Sequence, residues 1–457
     1  MAKKKVAELL METLAQAGVE RIYGISGDSL NAITESIRRQ KKIRWIHVRH
    51  EETAGFAAGA EAHLTGRLAV CAGSSGPGNL HLINGLYDCH RSRVPVLAIA
   101  AQIPSHEIGS GYFQETDPEH LFAQCSHYCE LISHPEQMPR VLEIAIQTAL
   151  SRRGVSVIAL PGDVAWCEAV EQEPRLHFLP PRPTFCPSND EITALAKILN
   201  ESEKVTILAG AGCAGAHQEL IALARKLNAP IVHAMRGKEF IEYDNPFDVG
   251  MTGLLGFSSG YHAMMNCNLL LMIGTDFPYQ QFFPKEATVI QIDLRGEQIG
   301  RRAKVDHAFV GDTQTTLQAL LPKLEQNAHD KHLKASLEHY RKTRKTLAEL
   351  ATEGHEKNGS HPQYVTRVVD ELANESAIFT CDVGTPTIWA ARYLTMNGKR
   401  RLLGSFIHGS MANALPQAIG AQISHPGRQV VSLSGDGGLA MLMGDCFRSG
   451  NWSCQSR

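Results

Sequence analysis

Residues 57–76 and 418–437 of this chain repeat one another at a constant spacing of 361 (420 − 59). Ala57, Gly59, Ala60, Gly66, Arg67, Val70 and Gly76 meet Ala418, Gly420, Ala421, Gly427, Arg428, Val431 and Gly437. Each copy reads as a helix of small residues, a Gly-Arg turn, an apolar strand and a glycine-rich loop, AVCAGSSGPG in one and VVSLSGDGG in the other. A chance match of Ala and Gly would not persist through helix, turn, strand and loop, so a duplicated α/β unit is the better reading. Two related α/β units separated by a different block leave few architectures open.

The rest of the chain agrees. Short apolar runs at 21–24, 69–72, 94–100 and 155–160 alternate with helical patterns, as do runs at 205–209, 231–234, 269–273 and 289–292, and at 377–380 and 430–433. Short apolar strands separated by helices predict βαβ units and parallel sheets. Composition shifts mark the boundaries. Residues 170–187 hold Pro174, Pro180, Pro181, Pro183 and Pro187, which no helix interior or central strand accommodates. Residues 323–361 are dense in Lys, Glu and His and end in HEKNGSH, an exposed helix followed by a linker. The expected fold is therefore α/β, three consecutive domains with parallel sheets, the first and third related, at 1–180, 188–325 and 361–457.

Composition narrows the function classes. With 45 Lys+Arg against 47 Asp+Glu, the net charge of -2 lacks the basic face that nucleic acid requires. No apolar run approaches the roughly 18 residues of a membrane-spanning helix. The basic opening MAKKK leads into a stretch interrupted by Glu8 and Glu12, which reads as an amphipathic helix of the mature protein. The 11 cysteines include no C-x-x-C pair and read as small core residues in a reducing compartment. A soluble, multidomain, cytoplasmic protein is expected.

Ligands on parallel sheets bind beyond the carboxyl ends of the strands, so the loops there carry the chemistry. In SGDGGLAMLMGD, residues 434–445, Gly435, Gly437 and Gly438 allow backbone N–H groups to approach a phosphate, and Asp436 could hold a divalent cation bridging it. A tight turn with a helix-capping Asp is the alternative. In RHEETAGFAAGAEA, residues 49–62, Glu51 and Glu52 open a helix. They read either as dipole-complementing caps or as a carboxylate facing an apolar wall, suited to exchanging a proton with a cofactor nitrogen. GAGCAG at 210–215 fits a dinucleotide fingerprint, yet no acidic residue follows on the next strand to hold a ribose. A dinucleotide bound another way stays open, with 252–255, 275–279 and 292–294 as contacts.

HEE at 50–52, CAGSSGPGNLHLINGLYD at 71–88, GYFQET at 111–116 and GDGG at 435–438 resemble thiamine-diphosphate enzymes of the pyruvate oxidase and acetolactate synthase group. GCAGAH (212–217), VGMTGLLGFSSG (249–260) and CDVGTPTIWAARYL (381–394) are similar, within that group, to the bacterial quinone-linked pyruvate dehydrogenases. The resemblance covers about residues 5–445. It implies a pyrimidine-binding domain, a central FAD-binding domain and a diphosphate-binding domain, with thiamine diphosphate, Mg²⁺ and FAD as cofactors. It further implies oxidative decarboxylation of pyruvate to acetate and CO₂ through an enamine, with electrons passing to FAD and then to a quinone. An acetolactate synthase-like 2-oxo acid ligase is the alternative chemistry. The assembly implied is a homo-oligomer, at least a dimer and usually a tetramer, with peripheral association at the cytoplasmic membrane.

Carried onto this sequence, the resemblance makes Glu51 the partner of the aminopyrimidine nitrogen, and Phe113 and Gln114 the lining of the substrate side. It assigns Asn79, Gly409, Ser410, Met411, Asp436, Gly437 and Gly438 to thiamine diphosphate, with Met411 the wedge that bends it and Asp436 the metal ligand. Thr252, Gly253, Leu254, Leu255, Thr275, Asp276, Phe277, Pro278, Tyr279 and Asp293 fall to FAD. Only 21 residues (457 − 436) follow Asp436, fewer than the roughly 30 of a complete βαβ unit. The family's Asn-Asn metal segment and its C-terminal membrane-docking segment find no match there. The third domain is thus expected to be cut short, and a non-catalytic remnant that retains FAD is the second class of function.

Overall fold

The computed structural model describes residues 4–170, 184–353 and 359–446. The proline-rich segment at 171–183 and the residues beyond 446 lie outside the described residues, as do 354–358 of the second linker. The described chain is α/β with parallel sheets, as expected, and the third sheet is the smallest.

Strands β1 (Arg21–Gly24), β2 (Arg44–His47), β3 (Ala69–Gly73), β4 (Val96–Gln102), β5 (Tyr128–Leu131) and β6 (Val155–Pro161) form a six-stranded sheet in the order β2-β1-β3-β4-β6-β5. Strands β7 (Val205–Ala209), β8 (Ile231–His233), β9 (Asp248–Met251), β10 (Leu269–Ile273), β11 (Thr288–Asp293) and β12 (His307–Val310) form a second, ordered β12-β11-β10-β7-β8-β9. Strands β13 (Ile378–Cys381), β14 (Arg401–Gly404) and β15 (Val430–Leu433) form a three-stranded sheet, β14-β13-β15. Every residue of β3, β4, β6, β7 and β10 is buried, as helices on both faces of a parallel sheet require.

Four helices open the chain: α1 (Val6–Gln16), α2 (Asn31–Gln40), α3 (Glu51–Thr65) and α4 (Pro77–Ser92). Helix α3 carries a nearly unbroken run of buried small residues and ends at Gly66 in the left-handed conformation. Helix Lys331–Leu350 fills the first part of the charged segment, where an exposed helix was expected; only Leu333, Ser336 and Leu347 of it are buried.

The described residues cluster into two compact units. The first contains the chain up to 170, 378–387 and 402–446, so the repeat's two copies share one unit. Its core joins Val70, Leu97, Ile99 and Ile158 of the sheet to Leu10 and Leu14 of α1, and on the other face Ala57 and Ala58 to Ile423. The two repeated helices, α3 and Ala414–Ser424, pack directly on each other. A side chain placed on Gly420 would begin 2.2 Å from the Ala57 carbonyl oxygen, so glycine is required by close approach. The second unit contains 184–377 and 388–401, with a core of β7, β10 and β11 residues against Leu195, Leu220 and Leu317.

Candidate functional site

In the first unit, α3 and α4 begin side by side. Glu51 is 6% exposed at the start of α3, where His50 caps the helix by accepting from Glu52 N–H. Its Oε2 lies 3.1 Å from His81 Nδ1 of α4, and Oε1 lies 3.0 Å from the point where a Gly78 side chain would start. One carboxylate oxygen is thus partnered, and the other faces the glycine loop that opens α4. The His50 and His81 rings stack at 4.4 Å beside this carboxylate. Asn79 is fully buried and donates to Ala101 O at 2.8 Å, while its Oδ1 has no hydrogen-bond partner.

Gln114 sits against the same loop. Gly76 has φ +68 and approaches Gln114 Cβ so closely that any side chain there would collide. Gln114 itself has φ +64, and its Oε1 accepts from Ser75 Oγ at 3.3 Å. Phe113, beside it, is 78% exposed. Glu115 holds the segment in place by accepting from the N–H groups of Gly109, Gly111 and Tyr112. Those backbone bonds, the one from Gly109 foremost, keep its carboxyl below the usual range.

The glycine loop after β15 and residues 409–411 also meet within the first unit. Gly437 lies beneath Met411, with the Met411 Cε 3.2 Å from the position of a Gly437 side chain. Asp436 is exposed at the start of the Asp436–Leu442 helix, and Met411 is 46% exposed. Asp382, which the sequence reading did not assign to the site, ties this region together. Its Oδ1 accepts from Ala414 N–H at 2.9 Å and its Oδ2 from Gly435 N–H at 3.2 Å. Burial pushes its carboxyl upward. The signal was available: Asp382 follows directly on the apolar strand β13, inside the quoted CDVG. Among the described residues no group of three His, Cys, Asp or Glu side chains converges as a metal site, and Asp436 alone is the expected ligand.

In the second unit, the loops expected at FAD leave the carboxyl ends of β9, β10 and β11. Thr252 is buried with Oγ1 unpartnered, and Gly253 lies against the Phe277 and Tyr279 rings. Leu254 is 62% exposed. Phe277, Tyr279 and Phe282 meet edge to face, and Thr275 is buried beside them. Asp276 is paired with Arg302 at 2.8 Å, and Asp293 accepts from Arg295 N–H. The GAGCAG loop packs on this region through Gly212 N–H to Gly274 O at 2.9 Å. Gly210 and Gly212 serve that loop-on-loop contact, while Gly215 turns the chain with φ +86. A buried orphan hydroxyl beside an aromatic wall fits a ligand with both polar and ring surfaces.

Two comparisons of sequence, with family models and with known proteins, agree on a family. The model of the thiamine pyrophosphate enzyme N-terminal TPP binding domain matches residues 4–121, the central domain 192–320 and the C-terminal TPP binding domain 382–448. An uncharacterized 42.6 kDa protein of Pseudomonas amyloderamosa is 63% identical over 351 residues, 77% of this chain and 89% of that protein. The YdaP protein of Bacillus subtilis is 36% identical over 451 residues, 97% of this chain and 77% of its own length. The pyruvate oxidase of Lactiplantibacillus plantarum is 30% identical over 442 residues, 95% of this chain and 73% of its own. The chain belongs to the thiamine pyrophosphate enzyme family.

Proposed function

We propose that this protein oxidatively decarboxylates pyruvate, converting pyruvate, water and a quinone to acetate, CO₂ and the quinol, with FAD relaying the electron pair. The observation that supports this most is that Gly253, in the loop after β9, lies against Phe277 and Tyr279 of the loop after β10, next to the unpartnered buried hydroxyl of Thr252, with Asp293 ending β11, the neighbour of β10. When bound, thiamine diphosphate supplies a carbanion-stabilising thiazolium, and FAD a two-electron acceptor.

The chain's own residues prepare that chemistry. Glu51, buried and held by His81 through one oxygen, keeps Oε1 free to share a proton with a ring nitrogen. Gly437, Gly438 and Asp436 offer backbone N–H groups and a carboxylate to a magnesium diphosphate. Met411 stands over Gly437 as an apolar support. Phe113 and Gln114, fixed by Ser75 and Glu115, line the substrate side. In an oligomer of the kind expected, these pieces are completed by a second copy of the chain. The quinone brings the protein to a membrane surface; among the described residues no helix is long and apolar enough to cross one.

Purified protein with thiamine diphosphate, Mg²⁺ and FAD should bleach its flavin absorbance when given pyruvate anaerobically, and should form acetate. Acetolactate formed over an oxidised flavin would instead establish the ligase chemistry.

A further inference from the structure

Helix α4 carries Asn84 and Asp88, four residues apart and so on one face. Asp88 is 5% exposed, and a polar stripe on a packed helix face needs hydrogen-bond partners. The partners come from 405–417, the segment that contains Gly409, Ser410 and Met411. Asn84 Nδ2 donates to Ser410 Oγ at 2.8 Å, and Asn84 Oδ1 accepts from His408 Nε2 at 2.8 Å. Asp88 accepts from Ser405 Oγ at 2.7 Å and from Gln417 Nε2 at 3.4 Å. Ser405 Oγ in turn accepts from Ser410 N–H at 3.0 Å.

Glu52 fixes the direction of this ladder. Its Oε1 accepts the second Nδ2 hydrogen of Asn84 at 2.7 Å. A carboxylate can only accept there, so the amide must turn its nitrogen to Glu52 and its oxygen to His408. Burial, aided by Arg91, holds the His408 imidazole below its usual range, so the neutral ring donates through Nε2–H. The Tyr87 ring lies parallel to it at 5.4 Å. Ser410 Oγ then gives its own hydrogen to the Met411 carbonyl at 2.9 Å. Each group in the chain has one role that its neighbours allow.

We infer that Glu52, Asn84 and Asp88 form a positioning ladder through which α4 sets the placement of residues 409–411 for thiamine diphosphate. This rests on the proposed assignment of 409–411 to that cofactor. It divides the adjacent acids of the HEE sequence by role. Glu51 faces the glycine loop, and Glu52 holds the amide that holds Ser410.

The test is Asn84→Asp in the full chain, which keeps shape and sets a carboxylate against Glu52. Thiamine diphosphate affinity, measured by calorimetry with Mg²⁺, should fall at least tenfold. Hydrogen exchange of 405–411 without cofactor should speed up at least tenfold, while the thermal unfolding of the variant stays cooperative. Glu52→Gln added to Asn84→Asp restores a donor opposite the new carboxylate and should recover more than half of the lost protection. Unchanged exchange in Asn84→Asp, or no recovery in the double variant, would overturn the ladder. Altered exchange in a protein whose wild type binds no thiamine diphosphate would keep the ladder as a loop support and overturn the cofactor assignment instead. Should Asn84→Asp fail to fold, Asn84→Ser, which removes the contacts without adding charge, replaces it under the same criteria.

Discussion

Glu51 and Glu52 are chemically identical neighbours, and one residue of helix rotation separates their surroundings. Glu51 is held by His81 and faces Gly78, whereas Glu52 meets Asn84. Glu51→Gln keeps the shape and removes the ionisable group, so flavin reduction by pyruvate should slow by about 10²–10⁴-fold, the usual worth of a positioned acid or base. Stopped-flow absorbance measures this, with unfolding curves showing that the fold persists. Glu115 yields a pH prediction. Its folded carboxyl lies below the ordinary value of 4.5 because Gly109 N–H, and also those of Tyr112 and Gly111, bond the charged form. That stabilisation is complete above the unfolded value and is lost as pH falls through the lowered folded value. Limited proteolysis near Phe113 should therefore accelerate in acid. In Glu115→Gln, cleavage should be fast already at neutral pH; equal rates in the two proteins at neutral pH would dismiss the role. All three acids stand in short motifs of the sequence, but only the folded contacts separate their tasks.

Among elements, the interior strands and the edge strand β15 are legible in the sequence as apolar runs, whereas β2, β5, β9, β12 and β14 are not. All five are sheet edges. An edge strand is covered on fewer sides, so its sequence carries polar and charged residues, as in RWIH and YCEL, and loses the continuous apolar run. The repeat acquires a physical meaning at the same scale. Gly59 lies against Cys89 of α4, and its counterpart Gly420 lies against Ala57 of α3. The repeated small residues are therefore packing positions of crossing helices. Gly420→Ala would force a methyl group onto the Ala57 carbonyl and should destabilise the first unit by about 1–3 kcal/mol, the range for overpacking a tight contact. Urea unfolding followed by circular dichroism measures this, and an unchanged midpoint would mean that the helices separate at no cost.

At the scale of the molecule, two compact units bear two different sets of candidate ligand loops. Where two units unfold separately, a ligand stabilises the one that binds it. FAD at 100 times its dissociation constant should raise the stability of the 184–377 unit by about 2.7 kcal/mol. Thiamine diphosphate with Mg²⁺ should act on the other unit. Differential scanning calorimetry should therefore show two transitions that respond separately; a single transition raised equally by either cofactor would contradict independent units. The division was not readable from composition. The charged segment and the prolines mark breaks along the chain, whereas the strands after 377 return to the first unit and helix Pro362–Leu372 belongs to the second.

By itself the sequence determined the α/β class, the buried parallel strands and the glycine loops, because each follows from local periodicity and from backbone freedom at particular residues. It also singled out Glu51 and the 409–411 and 435–438 segments through motifs that are contiguous in the chain. Only the tertiary structure decided which carboxylate meets His81, how Asp382 ties Gly435 to Ala414, and that α4 supports Ser410 from 326 residues away. Those relations depend on hydrogen bonds between side chains whose separation along the chain carries no periodic signal, and folding alone brings them within reach.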